Sequence, residues 1–135
     1  VHIERYPGLE TVPGVLVVRV DGPLFFADAN RFRDALNELI SSNREPVRAL
    51  VVDATAISQT DTDGADIVIQ IAEDLRSQGI ALAFAHLERS ALELWTRAGA
   101  IDAIGGPDHV FETVRAAVQA LDAATAATAT TTSPP

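Results

Sequence analysis

The 135-residue sequence contains no cysteine, no lysine and no methionine, and each of these absences removes a class of function or suggests an origin. Without cysteine the chain forms no disulfide, no thiolate zinc site and no cysteine nucleophile. Because all ten basic residues are arginine, a Walker A loop, a Schiff-base lysine and a lysine general base are excluded as well. The lack of methionine and the start at Val1 lead us to expect a segment of a longer protein.

Positive charge is scarce, and long apolar runs are missing. The formal net charge of −9 argues against binding of DNA or RNA through the phosphate backbone and against stable docking on anionic lipid. No run approaches the ~20 apolar residues of a membrane span, so we expect no direct membrane insertion by this segment. Hydrophobic residues nevertheless make up 47% of the chain, which is enough for one globular domain with a core.

Apolar runs of strand length alternate with segments of helical spacing. We predict strands at 15–20, 24–26, 47–53 and 80–85, and helices that begin near Asp28, within 58–66, near Leu87 and near Pro107. Gly79 is placed to end a helix as a C′ glycine, and residues 102–106 form a short link that can include an edge strand. The pattern indicates an α/β fold with a mixed, mainly parallel sheet of four to five strands covered by helices. Residues 1–121 form the predicted domain, and residues 122–135 a disordered Ala/Thr/Pro tail.

Polar residues follow two of the predicted strands, at 47–53 and 80–85. A helix joins these strands, so we expect them to lie parallel through a right-handed crossover. Loops at the carboxyl ends of parallel strands form the functional edge of a sheet. The candidate binding residues at this edge are Asp53, Thr55, Asp61, Thr62, Asp63, Gly64, His86, Arg89 and Ser90.

The acidic stretch SQTDTDGAD, residues 58–66, matches no metal or catalytic motif closely. An EF-hand loop counted from Asp61 needs glycine at position six, whereas Gly64 comes at position four and Ala72 replaces the glutamate of position twelve. The string DTDG is similar to the Asp-x-Asp-Gly motif of magnesium-dependent aspartyl phosphatases, but no buried strand directly precedes it and no lysine can hold the phosphate. Capping of the next helix by a carboxylate is the simpler reading, and it stays open beside a regulatory contact.

The remaining chemistry of the sequence favours a protein that is not an enzyme. The three histidines are scattered and show no spacing typical of metal ligands. A triad of Ser90, His86 and Asp53 can be drawn, but no G-x-S-x-G motif supports it. We therefore predict no catalytic residue, no metal site and no required cofactor.

Three stretches of the sequence resemble the STAS domain of SulP-type sulfate permeases. They are GVLVVRVDGPLFFADANRFRDAL (14–36), LVVDATAISQTDTDGADIVIQIAEDLRSQGIALAFA (50–85) and LWTRAGAIDAIG (94–105). The resemblance implies a non-catalytic regulatory domain of a multi-pass anion transporter, at the cytoplasmic face of the inner membrane. Its implied partners are the transmembrane domain of the same transporter and a protein regulator.

STAS domains are also similar to bacterial anti-sigma factor antagonists, in which a kinase phosphorylates a serine at the start of the helix after the central strand. The antagonist pattern Asp-Ser-Ser-Gly aligns with Asp61–Gly64 and places the phosphorylated position on Asp63. A serine/threonine kinase cannot esterify Asp63, although Thr62 keeps a hydroxyl next to it. A free-standing antagonist-like protein is therefore the first alternative function, and a magnesium-dependent aspartyl phosphatase is a distant second.

The resemblance further implies weak binding of GTP or ATP with magnesium at the same edge. Helix N-termini attract phosphate, and Arg89 with Ser90 can donate hydrogen bonds to it. Asp61, Asp63 and Asp66 would repel phosphate unless magnesium bridged them. We therefore expect nucleotide binding that depends on magnesium and on salt.

Overall fold

The computed structural model describes residues 2–5, 14–21, 29–43, 46–55 and 62–122. Its elements in chain order are β1 (His2–Arg5), β2 (Val15–Asp21), α1 (Ala29–Ser41), β3 (Ala49–Asp53), α2 (Thr62–Ser77), β4 (Ala81–Ala85), α3 (Arg89–Ala98), α4 (Ala100–Ile104), a 3-10 turn (Pro107–His109), β5 (Val110–Phe111) and a last helix, α5, at 114–122. None of the helices in these ranges has the length and apolar character that a membrane crossing requires.

The five strands lie side by side in chain order, β1-β2-β3-β4-β5. β1 runs antiparallel to β2, whereas β2, β3, β4 and β5 are mutually parallel. The parallel pairing of β3 with β4, expected from the helix between them, is therefore confirmed. The predicted class, a mixed and mainly parallel sheet covered by helices, is confirmed as well.

Helices on both faces of the sheet explain why β3 is apolar at successive positions. Leu50 and Val52 belong to the core beneath α1–α4, while Val51 packs in a second core with α5. All five residues of β3 are buried, as expected for a central strand covered on both sides. On the first face Trp95 of α3 meets Phe84 of β4 edge to face, with ring centroids 5.1 Å apart.

The end of α2 follows the predicted glycine signal. Gly79 has a φ of 75°, a left-handed conformation that favours glycine. Its N–H donates to the carbonyl of Arg76 at 3.0 Å, and the N–H of Ile80 donates to the carbonyl of Leu75 at 2.9 Å. These bonds satisfy carbonyls that the helix end would otherwise leave free, and they direct the chain into β4.

The structure corrects three sequence predictions. Residues 2–5, where the sequence predicts no strand, form β1, because they pair along β2. The link at 102–106 begins inside α4, and the edge strand comes later, at β5. Pro107 starts a 3-10 turn rather than the last helix, which begins at 114, where the Thr113 hydroxyl accepts the N–H of Ala116 at 3.0 Å.

Two further predictions concern residues that the structure leaves undescribed. The short strand at 24–26 lies outside the described residues. So do residues 123–135, most of the predicted tail, whereas Asp122 belongs to α5. The domain boundary at 121 and the tail therefore stay predictions.

Candidate functional site

The carboxyl ends of β3 and β4 meet at one edge of the sheet, which we call the rim. Asp53 pairs in register with Ala85, and the N–H of Ala54 donates to the Ala85 carbonyl at 2.8 Å. The chain thus leaves both strands at the same level, just before His86. β4 starts at the end of the sheet opposite the rim. Since α2 directly precedes β4, this helix runs back across the sheet and its first turn lies towards the rim.

Asp53 is the buried polar residue of the rim. Only 4% of it is exposed, and its Oδ1 accepts hydrogen bonds from the Thr55 N–H at 3.0 Å and the Thr55 hydroxyl at 2.5 Å. This closed turn carries the chain out of β3, because a carboxylate can take the place of a backbone carbonyl in a tight turn. Asp53 has a structural role here, and Thr55, which is exposed, is the residue that faces solvent.

His86 turns the chain away from β4 in a strained conformation. Its φ is 61°, which is unusual for a residue other than glycine, and its backbone N–H donates to the Phe111 carbonyl at 3.2 Å. The residue itself is exposed. The left-handed backbone ends β4 abruptly and leads the chain towards α3.

At the start of α3, a carboxylate occupies a hydrogen-bond donor that a ligand could otherwise use. Glu88 occupies the N-cap position, but its side chain makes no hydrogen bond to the helix backbone. Its Oε1 instead accepts a hydrogen bond from the hydroxyl of Ser90 at 2.7 Å. Arg89 and Ser90, the candidate hydrogen-bond donors to phosphate, are both exposed. A phosphate must nevertheless displace Glu88 to accept a hydrogen bond from the Ser90 hydroxyl.

Of the acidic stretch, the structure describes residues 62–66. Thr62, Asp63 and Gly64 form the first turn of α2, while Asp61 lies outside the described residues. Asp66 is exposed on the next turn. Within the described ranges, no three histidine or acidic residues come close enough together to hold a metal ion.

Comparison with known proteins decides the family. Residues 6–117 match the STAS domain family. The chain belongs to this family. It is 34% identical over 118 residues to a probable sulfate transporter of Mycobacterium tuberculosis, which it matches over 87% of its own length and 21% of the relative's. This STAS domain spans about a fifth of the length of the curated relatives it matches.

Solved structures show the same fold in STAS domains and in a whole transporter. The STAS domain of a Vibrio cholerae SulP transporter has a TM-score of 0.68 at 20% identity and covers 87% of this chain and 88% of that one. The murine anion transporter Slc26a9 has a TM-score of 0.73 at 20% identity, covering 87% of this chain and 19% of that one. At 20% sequence identity, these similarities establish the shared fold alone.

Sequence reasoning missed a second polar feature of this STAS domain. A cleft of about 300 Å³ opens at the end of α2, where β4 begins, and includes Arg76 and His109 in its lining. It lies away from the rim, because the start of β4 is at the opposite edge of the sheet. The two residues are far apart in sequence, and the sequence predicts a helix at His109, so no spacing motif connects them.

Proposed function

We propose that this STAS domain is a non-catalytic regulatory domain of a sulfate or related anion transporter. The observation that carries the proposal is the match to a probable sulfate transporter, which covers most of this chain but only 21% of the relative. A domain of that share leaves room for a membrane-spanning part elsewhere in the protein. The proposed location is the cytoplasmic face of the membrane.

The rim is the proposed contact surface for the transporter's membrane domain or a protein regulator. Its exposed side chains include Thr55, His86, Arg89 and Ser90, which supply hydrogen-bond donors and one fixed positive charge. Parallel α/β sheets present their binding loops at this edge. The rigid sheet beneath supports the contact, since Asp53 and the backbone of His86 are held by hydrogen bonds.

Regulation at α2 would differ from a phosphorylation switch. The alignment with antagonist proteins puts Asp63, in the first turn of the helix, at the modified position. Its carboxylate supplies one permanent negative charge, whereas phosphoserine supplies about 1.5–2. We therefore propose a contact of constant charge at this position rather than a reversible one.

Weak binding of GTP or ATP with magnesium is the secondary proposal for the rim. The first turns of α2 and α3 both lie at this edge, and helix N-termini favour phosphate. Glu88 opposes binding because it already holds the Ser90 hydroxyl. We expect Glu88→Ala to strengthen the binding, because it frees the Ser90 hydroxyl and removes a negative charge. Amide shifts in a titration with magnesium and nucleotide would measure the binding, and shifts confined to other surfaces would contradict the assignment.

The regulatory proposal is tested in the full transporter by measuring anion flux in reconstituted vesicles. We expect Arg89→Glu to change the flux severalfold, because it reverses the charge of an exposed rim residue. Arg97→Glu is the matched control, since Arg97 is also exposed but lies in the last turn of α3, at the opposite end of the helix from Arg89. Equal flux in the wild type and both variants, at equal amounts of protein in the membrane, would refute the role of the rim.

A further inference from the structure

The cleft at the end of α2 has the size and composition of a small-molecule site. Its volume of about 300 Å³ lies at the lower end of the range for ligand pockets. Eight of its ten lining residues are alanine, glycine, isoleucine or leucine, and the other two are Arg76 and His109. The lining therefore combines an apolar wall with a small number of polar groups, as ligand sites usually do.

The charge of the cleft is opposite to that of the protein. The chain has a formal net charge of −9, yet the lining residues include no aspartate or glutamate. They include one guanidinium, that of Arg76, which is always protonated. An anion that approaches this cleft thus meets a local positive charge on an otherwise acidic molecule.

Arg76 is held in position at the cleft. Its Nη2 donates a hydrogen bond to the carbonyl of Ala103 on α4 at 2.7 Å. A guanidinium has five N–H donors, so this bond leaves others for a ligand. A cation already fixed by the protein loses less conformational freedom when a ligand binds.

His109 is fixed on the other side of the cleft lining. Its Nδ1 lies 2.7 Å from the carbonyl of Leu82 and donates to it. The opposite ring nitrogen, Nε2, lies against Gly105, where a Cβ would come within 2.9 Å of it. Gly105 also has a φ of 121°, which side-chain-bearing residues rarely adopt. A glycine at this position therefore gives the imidazole room beside α4.

We propose that this cleft binds a small organic carboxylate, with the carboxylate group at Arg76 and the apolar body against Ile80, Leu82 and Ile104. An inorganic oxyanion is a poorer match, because it would fill only part of a cleft of about 300 Å³. It would also leave the apolar wall in contact with water. A neutral apolar molecule would leave the guanidinium unused. The site goes beyond the regulatory function proposed for the rim and does not depend on it.

The test is a titration of the 135-residue protein followed by backbone amide shifts. The probes are sodium acetate, sodium hexanoate, hexanol and sodium sulfate, each at constant ionic strength. We expect hexanoate to shift amides around Gly79–Leu82 and 103–109. It should bind at least about tenfold more tightly than acetate, since each buried methylene contributes about a fourfold factor. Hexanol and sulfate should bind at least about tenfold more weakly than hexanoate, because each lacks one half of the recognised structure.

Variants at two arginines separate the site from general charge effects. Arg76→Gln should weaken hexanoate binding about tenfold or more, the effect of losing a hydrogen bond to a charged group. Arg76→Lys should recover much of that loss because it restores the charge. Arg115→Gln, which removes an exposed charge from α5, should leave the affinity unchanged.

Several outcomes would overturn the proposal. Hexanoate shifts that are absent, or that lie only at the rim, would show that the cleft is not the site. Equal binding of hexanol would show a site for apolar molecules in general, and equal binding of sulfate would show an ion site without organic specificity. Unchanged affinity in a folded Arg76→Gln protein, judged by its amide spectrum, would refute the role assigned to Arg76. None of these results bears on anion flux, so the rim is tested separately.

Discussion

Replacement of Asp53 separates the structural role of the rim from its charge. The residue is almost fully buried at the end of β3, and a single carboxylate oxygen accepts both hydrogen bonds from Thr55. Asp53→Ala removes both bonds. Asp53→Asn keeps a carbonyl oxygen that can accept them but removes the negative charge. Comparing the two variants therefore distinguishes the need for an acceptor from the need for a charge.

The structure limits the size of each effect. Thr55 is exposed, so its N–H and hydroxyl can bond to water once Asp53 is gone, and neither is left buried without a partner. The loss in Asp53→Ala should therefore lie at the lower end of the range for hydrogen bonds to a charged group, about 1.5 kcal/mol for each bond and about 3 kcal/mol for the pair. Asp53→Asn should lose only the difference between charged and neutral bonds, about 1 kcal/mol.

Urea unfolding measures both free energies. The single tryptophan, Trp95, is fully buried, and its fluorescence reports the loss of the core. Thr55→Ala is the control, because it removes the hydroxyl bond but keeps the backbone bond, and it should cost less than Asp53→Ala. If Asp53→Asn were as destabilising as Asp53→Ala, the charge itself would hold the rim, and our account of the turn would be wrong.

Three further predictions address the core, the end of β4 and the last helix. The indole N–H of Trp95 is buried with no hydrogen-bond partner among the described residues, so Trp95→Phe should cost far less than the ~3–5 kcal/mol of Trp95→Ala; equal losses in thermal unfolding followed by circular dichroism would contradict this. His86→Gly should stabilise the protein slightly or leave it unchanged, since glycine adopts the left-handed backbone without strain; a loss above about 1 kcal/mol in urea unfolding would show that the imidazole holds the loop. Thr113→Ala should lower the free energy of unfolding by about 1 kcal/mol through loss of the cap on Ala116, whereas Thr113→Ser should not; equal effects of the two changes would exclude capping.

Long, regular elements could be predicted from the sequence because their own residues determine them. The apolar run of β3 and the Gly79 signal after α2 are local, and both predictions are confirmed by the structure. The short elements could not be predicted in the same way. β5 has two residues, and its strand character comes from pairing with Phe84 and Ala85, which lie far away in sequence. The polar residues of β1 likewise show no strand pattern in the sequence, and its strand conformation comes from its pairing with β2.

The candidate site follows the same division. Parallel topology was sufficient to place Asp53 and His86 at one edge, because the strand order determines where each strand ends. The hydrogen-bond partners of the side chains could not be predicted from the sequence. Glu88 could equally have capped α3, and only the structure shows that it accepts the Ser90 hydroxyl instead. The cleft required the distant residues Arg76 and His109 to be brought together by α4 and the 3-10 turn.

The order of the strands has a consequence for how the domain assembles. Each of the strands β2–β5 pairs with the described strand that precedes it in the chain, so none of these strands has to be inserted between two that are already paired. A growing chain can extend the sheet one strand at a time in the direction of synthesis, and each step closes a comparatively short loop. Among the described helices, α5 covers the second face, and it has to wait until the last strand is made. Until then Val51 and Ala83 face water, and shielding of that face is the step at which nascent chains of this domain would be most prone to aggregate.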